Sequence, residues 1–318
     1  MEFQRQLKRD RNHQRVEEQL SKRLTFAAGM PHTLIIEPGA RCSLACPFCP
    51  QASDNFLLSR DFLKLDDFKK IVDYFEDSVD TILLFNWGEP LLNQSLPEMI
   101  SYASEKKVHT LVHSNAIHLT EDLAKKIVKS GLSEFVASID GASEESYQKY
   151  RKNGSFQHAF GNLQSLLRVK NEFGCPGPRI VWKFLVFKHN EHELERARLL
   201  AREAGVSIEF KFAVAPGEYE SSLEEFNNKN FRDKFIKNYD LPCKQLWKAP
   251  VICPDGDVLP CCMVSNKKYV VGNLFRQEFR EIWNNAQYQM LRAAIAGEIV
   301  EEGALYCREC MFGPNSVK

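Results

Sequence analysis

The chain has no surplus of charge of either sign and no long apolar run. Lysine plus arginine and aspartate plus glutamate each number 42 in 318 residues, so the formal net charge is zero. A nucleic-acid partner wants a basic surplus, and the composition offers none. No apolar stretch approaches the length of a membrane span, so no membrane partner is expected. The first 24 residues are charged from near the start and hold no apolar core segment, which argues against a signal peptide there. Internal repeats and low-complexity tracts are missing as well. A cytoplasmic protein is expected, and disulfide staples are therefore not. What the chain does have is 44% hydrophobic residues, enough for one large core plus a smaller one, and ten cysteines. In such a setting the cysteines point to metal or redox chemistry.

Three of them, Cys42, Cys46 and Cys49, stand in the run Arg41-Cys42-Ser43-Leu44-Ala45-Cys46-Pro47-Phe48-Cys49-Pro50, a CxxxCxxC spacing. Three thiolates on one short loop can hold three irons of a 4Fe–4S cluster, whereas an electron-transfer cluster is usually closed by four cysteines. The fourth iron then stays open for a small molecule. A zinc knuckle lacking its fourth ligand is the plainer alternative, but zinc sites more often pair one CxxC with a second. A disulfide with a spare thiol is the other.

Pro31 to Glu37 reads as a buried strand ended by Pro38-Gly39, so the cysteine loop follows a first strand. An exposed helix, Glu2 to Leu24, is expected ahead of it. Helical and strand patterns then alternate. Helices are expected at Asp66–Ser78, Leu96–Lys106, Thr120–Ser130, Ser143–Arg151, Phe156–Phe173 and Glu191–Ala204. Strands are expected at Thr81–Phe85, His109–His113, Glu134–Ile139, Arg179–Phe187 and Ser207–Phe212. Six such alternations imply a parallel sheet, and they suit an open partial (β/α)6 TIM-like barrel better than a closed eight-stranded one. The division expected is an N-terminal helix over 1–30, the barrel over 31–215, a charged, Asn-rich connector over 216–240, and a small cysteine-rich domain over 241–318.

Residues 31–215 resemble the core of the radical S-adenosylmethionine (radical SAM) superfamily. The cysteine loop, with Phe48 just before its last cysteine, matches that signature. Asn86-Trp87-Gly88-Glu89-Pro90 resembles the family's GGE(P) motif, with Trp87 in place of its first glycine. Ser114-Asn115 resembles a TN(G) segment, and Ser138-Ile139-Asp140-Gly141 resembles SxDG. Arg151 lies where related maturases place an arginine on the SAM carboxylate. The resemblance implies that Cys42, Cys46 and Cys49 hold a 4Fe–4S cluster. It also implies that Phe48, Gly88, Glu89, Pro90, Ser114, Asn115, Ser138, Asp140 and Arg151 bind SAM. Taken singly these motifs have plain readings: an ordinary turn at Glu89-Pro90, helix caps at Ser138 and Asp140, a solvated charge at Arg151.

The stretch from Cys243 through Gly256-Asp257-Val258-Leu259-Pro260-Cys261 resembles the opening of a SPASM or twitch domain, as do Gly272-Asn273-Leu274, Glu281-Ile282-Trp283 and the late Cys307-Arg308-Glu309-Cys310. The resemblance implies one auxiliary 4Fe–4S cluster on Cys243, Cys261, Cys307 and Cys310. Zinc on the same four is the alternative, with Cys262 or Cys253 as substitute ligands. Cys175 reads as a plain thiol.

For activity, the resemblance implies reductive cleavage of SAM to a 5′-deoxyadenosyl radical and removal of a hydrogen atom from a small polar substrate, an aminosugar or cyclitol unit. An electron lost to the auxiliary cluster would make this a dehydrogenation. A hydrogen atom returned by a thiol, for which Cys253 and Cys262 are the candidates, would make it an epimerisation. A flavodoxin or ferredoxin would serve as reductant. Lys183, Lys211 and His189 are candidates to touch substrate, against a plain reading as barrel-rim packing. A peptide-modifying maturase is the second reading, although the residues before the first strand are short for a leader-binding domain. A non-catalytic iron–sulfur binding protein is the third, and it leaves an open iron beside Glu89 unexplained.

Overall fold

A computed structural model of the chain describes residues 2–54, 56–215, 217–227, 243–298 and Cys307. Helix α1 (Glu2–Ser21) leads to β1 (Thr33–Ile36), and strands then alternate with helices. The order is α2 (Leu65–Tyr74), β2 (Thr81–Leu83), α3 (Leu96–Glu105), β3 (His109–Ser114), α4 (Glu121–Lys129), β4 (Glu134–Ser138), α5 (Glu144–Tyr150), α6 (Phe156–Glu172), β5 (Arg179–Val186), α7 (Leu194–Ala204) and β6 (Ser207–Phe212). Local chemistry sets the ends. The Thr120 side chain accepts the Leu123 N–H to start α4, and Gly131 follows its close with φ of 80°. The expected first helix stops at Ser21, short of Leu24. Glu191–Glu193 forms a 3-10 turn ahead of α7 instead of its first turn.

Strands β1 to β6 pair in sequence order and in parallel. Side chains alternate across each strand. On the helix-covered face Leu34, Ile36, Ile82, Val112, Phe135, Trp182 and Phe184 join one buried core. Leu83, Leu111, His113, Lys183 and Leu185 lie on the other face and are only partly covered. The sheet does not close, so this concave face opens onto a cavity.

The C-terminal segment extends the same sheet. After a short helix (Gln245–Lys248), β7 (Val251–Ile252) pairs in parallel with β1, matching Ile35 to Val251 and Ile36 to Ile252. Strands β8 (Asp257–Leu259) and β9 (Gly272–Asn273) follow antiparallel, giving a nine-stranded sheet in the order β6-β5-β4-β3-β2-β1-β7-β8-β9. Gly256, at φ of 84°, makes the tight turn of Pro254-Asp255-Gly256-Asp257 between β7 and β8. Of the expected connector, Glu220 bridges to Phe187 and Glu224–Phe226 forms a 3-10 turn. Residues 228–242 lie outside the described residues.

Two buried arginines tie the ends of the chain to the body. Arg292 stacks on Trp283 and Tyr288 and donates to the carbonyls of Leu246, Thr25 and Trp283. Arg9 of α1 donates to the carbonyls of Glu76, Lys106 and Lys107, at the amino ends of β2 and β3. Helix α1 therefore closes the end of the sheet opposite the cysteine loop. Beside Arg9, His13 contacts Asp80 at 2.5 Å and stacks on His32 at 4.2 Å.

Burial, with His13 close by, pushes His32 down to about 4 from an ordinary 6.5. The folded chain keeps it neutral, while the unfolded chain takes up a proton below its ordinary value. The contribution to stability is therefore complete above about pH 6.5 and is lost as the pH falls toward 4. His32→Gln should flatten this acid limb in a plot of Tm against pH. An unchanged slope would place the acid sensitivity in other groups.

Candidate active site

The site begins at a seam between the loops that follow β1 and β2. Glu37, at the end of β1, is fully buried, and its carboxylate accepts the N–H groups of Trp87 at 2.6 Å and Gly88 at 3.2 Å. Burial pushes it up to about 7, against the pull of those donors. The Glu89 N–H in turn donates to the Arg41 carbonyl at 2.7 Å. A Cβ on Gly88 would stand 1.9 Å from the Gly39 carbonyl oxygen, so only glycine lets the two backbones approach this closely. The seam fixes Trp87-Gly88-Glu89 against the start of the cysteine loop.

That loop bends back on itself. The Cys49 N–H donates to the Cys46 carbonyl, and the Ala45 N–H donates to Lys152. Cys42, Cys46 and Cys49 all line one cavity of about 250 Å³. Also on its wall are Gly88, Glu89, Ser114, Asn115, Ser138 and Arg151. The motif residues from four separate strand ends thus meet, as expected for the carboxyl edge of a parallel sheet. Glu89 is buried, which raises it, and three donors oppose that: Ser114 Oγ at 2.7 Å, the Asn115 N–H at 2.8 Å and the Leu91 N–H at 3.1 Å. Pro90 opens the 3-10 turn Pro90–Leu92 that supplies the last of these donors, and does not line the cavity.

Asp140 is buried and orders the opposite wall. Its Oδ2 takes Arg151 at 2.6 Å and its Oδ1 takes the Leu185 N–H at 2.7 Å. Burial lowers Arg151, but the pull of Asp140, joined by that of Cys46, Tyr150 and Tyr147, outweighs it and holds the guanidinium well above its ordinary range. Arg151 also reaches toward Cys46 Sγ at 3.9 Å, and Asn115 Nδ2 toward Cys42 Sγ at 3.6 Å. Phe48 stands outside the cavity, against Tyr150, Phe187 and Tyr219.

The three thiols fit an iron–sulfur cluster. Burial pushes Cys42 up to about 11 and raises Cys46 and Cys49 as well, so as free thiols they stay neutral, and a metal must displace their protons. N–H donors already face two of the sulfurs, a recurrent feature around cluster ligands. Three thiolates on one tetrahedral zinc would sit about 3.8 Å apart. Among the described residues, the one group of three ligand atoms within 4.8 Å of one another is His13, His32 and Asp80, not the cysteines.

In the C-terminal segment Cys261 is buried and its thiol is held well up, by burial first and then by Cys262, Cys243 and Cys307 nearby. Cys243, Cys261 and Cys307 are thus brought together. Cys310 lies outside the described residues. Cys253 is buried in a small apolar cluster with Ile35, Val251, Leu259 and Cys261, and Cys262 packs against that cluster. Neither lines the cavity, so the structure does not bring the two candidate hydrogen-atom donors to it. Cys175 sits just beyond α6, near the Phe173 carbonyl.

Sequence reasoning missed Glu37, Gln51, Phe85, His113 and Tyr150 as parts of the site. Glu37 was read only as the last residue of a buried strand, with no role in the site. Phe85 and His113 stack face to face at 3.8 Å on the concave side. Of the three side chains expected to approach substrate, Lys183 lines the cavity. Lys211 instead pairs with Glu209 on β6, and His189 stacks on Phe187.

The radical SAM superfamily model matches residues 36–177, and the iron-sulfur cluster-binding domain called SPASM matches residues 243–311. An AdoMet-dependent heme synthase of Methanosarcina barkeri is 23% identical over 301 residues, covering 81% of this chain and 83% of that protein. Among solved structures, Streptococcus suis SuiB bound to S-adenosylmethionine superposes with a TM-score of 0.65 at 16% identity, over 89% of this chain and 72% of that one. BtrN in complex with AdoMet and 2-DOIA superposes with a TM-score of 0.54 at 17% identity, over 84% of this chain and 87% of that one. At these identities the two structures show a shared fold.

Gly88→Ala should force the seam open, because the clash is with backbone at Gly39 and Ala40 and not with a movable side chain. The expected loss is about 1–3 kcal/mol, read as a lower Tm, together with weakened SAM binding. An unchanged Tm would show that the loops can part freely. Asp140→Asn strips the buried Arg151 of its partner and should lower stability by about 3–5 kcal/mol. A small effect in thermal unfolding would mean that Arg151 reaches solvent.

Proposed function

The chain is a radical SAM protein with a SPASM iron–sulfur domain, and we propose that it is an oxidoreductase or epimerase acting on a small polar metabolite of the aminosugar or cyclitol kind. The observation that carries this is the single cavity in which three cysteines, a buried carboxylate and a buried guanidinium meet. Its lining of charged and polar groups, Glu89, Asn115, Arg151 and Lys183, suits a polar ligand. The likeness to BtrN, solved with AdoMet and 2-DOIA, supports the same reading.

The residue roles follow from the geometry. Cys42, Cys46 and Cys49 would hold the 4Fe–4S cluster, leaving one iron without a protein ligand. Bound there, cluster and SAM supply reductive cleavage and a strong acceptor for a substrate hydrogen atom. Glu89, kept in place by Ser114, Asn115 and Leu91, offers a carboxylate to the SAM amino group. Gly88 lets the backbone come close enough for that contact. Arg151, oriented by Asp140, would meet the carboxylate of SAM, with Ser138 and Asn115 on the same wall. Phe48 and its aromatic neighbours form an apolar edge beside the loop. Trp87 and Leu44 help to exclude water from the cavity.

Cys243, Cys261, Cys307 and Cys310 would hold an auxiliary cluster that accepts the second electron of an oxidation. This assigns 31–215 to the barrel and 241–318 to the auxiliary unit. The placement of Cys253 and Cys262 away from the cavity favours oxidation over epimerisation by either thiol. A flavodoxin or ferredoxin is the proposed reductant.

Anaerobic reconstitution with iron and sulfide tests this reading. Wild type should carry about eight irons, and the Cys42/Cys46/Cys49→Ala triple variant about four. With SAM and dithionite, wild type alone should release 5′-deoxyadenosine. Four irons and bound zinc in wild type would remove the auxiliary cluster. A fully loaded protein that never releases deoxyadenosine would defeat the enzyme reading.

A further inference from the structure

One partly covered cation in the cavity is not explained by any of these roles. Lys183 stands in the middle of β5, opposite Ser138 of β4, with its side chain on the concave face. Its one polar side-chain contact among the described residues is His113 Nδ1, at 3.4 Å. No carboxylate lies within ion-pairing distance of it among the described residues. The acids nearest in charge are already engaged. Asp140 is taken by Arg151 and the Leu185 N–H, and Glu209 by Arg179 and Lys211. Arg151 and Lys211 add repulsion of like sign.

An ammonium held in a cavity without a counter-charge is unfavourable unless something neutralises it. His113 cannot do so. Burial and the neighbouring Lys183 push the imidazole down to about 3, so it is neutral and serves Lys183 only as an acceptor. The same burial brings Lys183 down to about 8, which leaves most of it charged at neutral pH. With Nδ1 accepting from Lys183, the ring proton of His113 resides on Nε2, a second N–H donor on the same wall. Phe85, stacked on His113, fixes the ring and supplies an apolar flank.

We propose that Lys183, backed by His113, is the anchor for a carboxylate carried by the substrate. This rests on the function proposed above and narrows it to an acid-bearing member of that substrate class. The anchor lies on the strand, deeper in the half-barrel than the loops that carry the cysteines and Glu89. A carboxylate held there leaves the remainder of the substrate toward the cysteine loop, where hydrogen abstraction would occur.

The test uses the reconstituted full chain and a matched pair of probes, propionate and propionamide, observed by saturation-transfer NMR. Propionate should bind the SAM-loaded wild type about tenfold or more tightly than the amide. Lys183→Met should abolish that preference, and Lys183→Arg, which keeps the charge, should retain it. Propionate binding should fall as the pH rises from about 7 to 9, because the charged lysine is lost through its value of about 8. Equal binding of acid and amide, no binding of either, or an unchanged preference in Lys183→Met would overturn the proposal. Propionate that binds the reconstituted protein only while SAM is left out would assign the lysine to the methionine carboxylate and overturn the proposal equally. Deoxyadenosine release by wild type without any probe is scored separately. Its failure removes the radical reading, whereas a failed probe comparison with deoxyadenosine still formed removes only the anchor. If Lys183→Met does not fold, the acid–amide comparison and the pH series on wild type still decide.

Discussion

The closeness of two backbones, at Gly39 and Gly88, is the constraint on which the site depends. The loops after β1 and β2 could not both reach the cavity if Gly88 carried a side chain at their crossing. Once they touch, a short chain of hydrogen bonds takes over. Glu37 gathers the Trp87 and Gly88 N–H groups, and the Glu89 N–H closes onto Arg41, one residue before Cys42. The carboxylate of Glu89 and the first cysteine are therefore positioned by the same few contacts. Rigidity of this kind matters for chemistry on an unactivated carbon, where misplacement by an ångström is expensive in rate.

Charge is distributed in the cavity with the same economy. Three thiols, Glu89, Arg151 and Lys183 share a small volume; loss of water raises the thiols and Glu89 and lowers Lys183, whereas neighbouring charge, Asp140 first, raises Arg151. Arg151 is the one whose charge is fully met inside the protein, through Asp140. Glu89 meets only neutral donors, and Lys183 only a neutral imidazole. A wall that carries both an anion and a cation without internal partners is suited to a ligand that brings both signs, as an amino acid moiety does, or to two ligands that bring one each. Neutralisation by ligand lowers the penalty that burial imposes on the empty site.

Much of this was legible in the sequence, and the reasons for the rest are physical. Strand and helix periods placed every element of the half-barrel, because each strand is apolar on its helix-covered face and several helices have caps or a terminal glycine, as at Thr120 and Gly131. The cysteine spacing and the motif order located the cavity wall from four strand ends. Glu37 was invisible because its partners are backbone N–H groups fifty residues away, which leave no residue pattern. His113 and Lys183 alternate with buried residues along their strands, as any solvent-facing pair would. Their burial follows from the sheet's curvature, not from their neighbours in sequence. The pairing of β7 with β1 was also hidden, since two-residue strands far apart in the chain give no local signal.

That pairing changes how the C-terminal segment should be viewed. It was expected as a separate small domain, yet its hairpin is bonded to the edge of β1, the strand that delivers the cysteine loop. Trp87 strengthens the join. It occupies the place where the resembling motif has glycine, and its indole N–H donates to the Val264 carbonyl at 2.8 Å. Its ring packs with Cys262 against the cluster that holds Cys253 and Cys261. The substitution of a large aromatic for glycine is therefore not a loss of fit at the cavity but a contact between the two cysteine-bearing parts of the chain. Backbone pairing at Ile35 and Ile36, with Trp87 across the seam, holds the two sets of thiols in a fixed relation. Electron transfer between centres bound to them would then pass through packed protein.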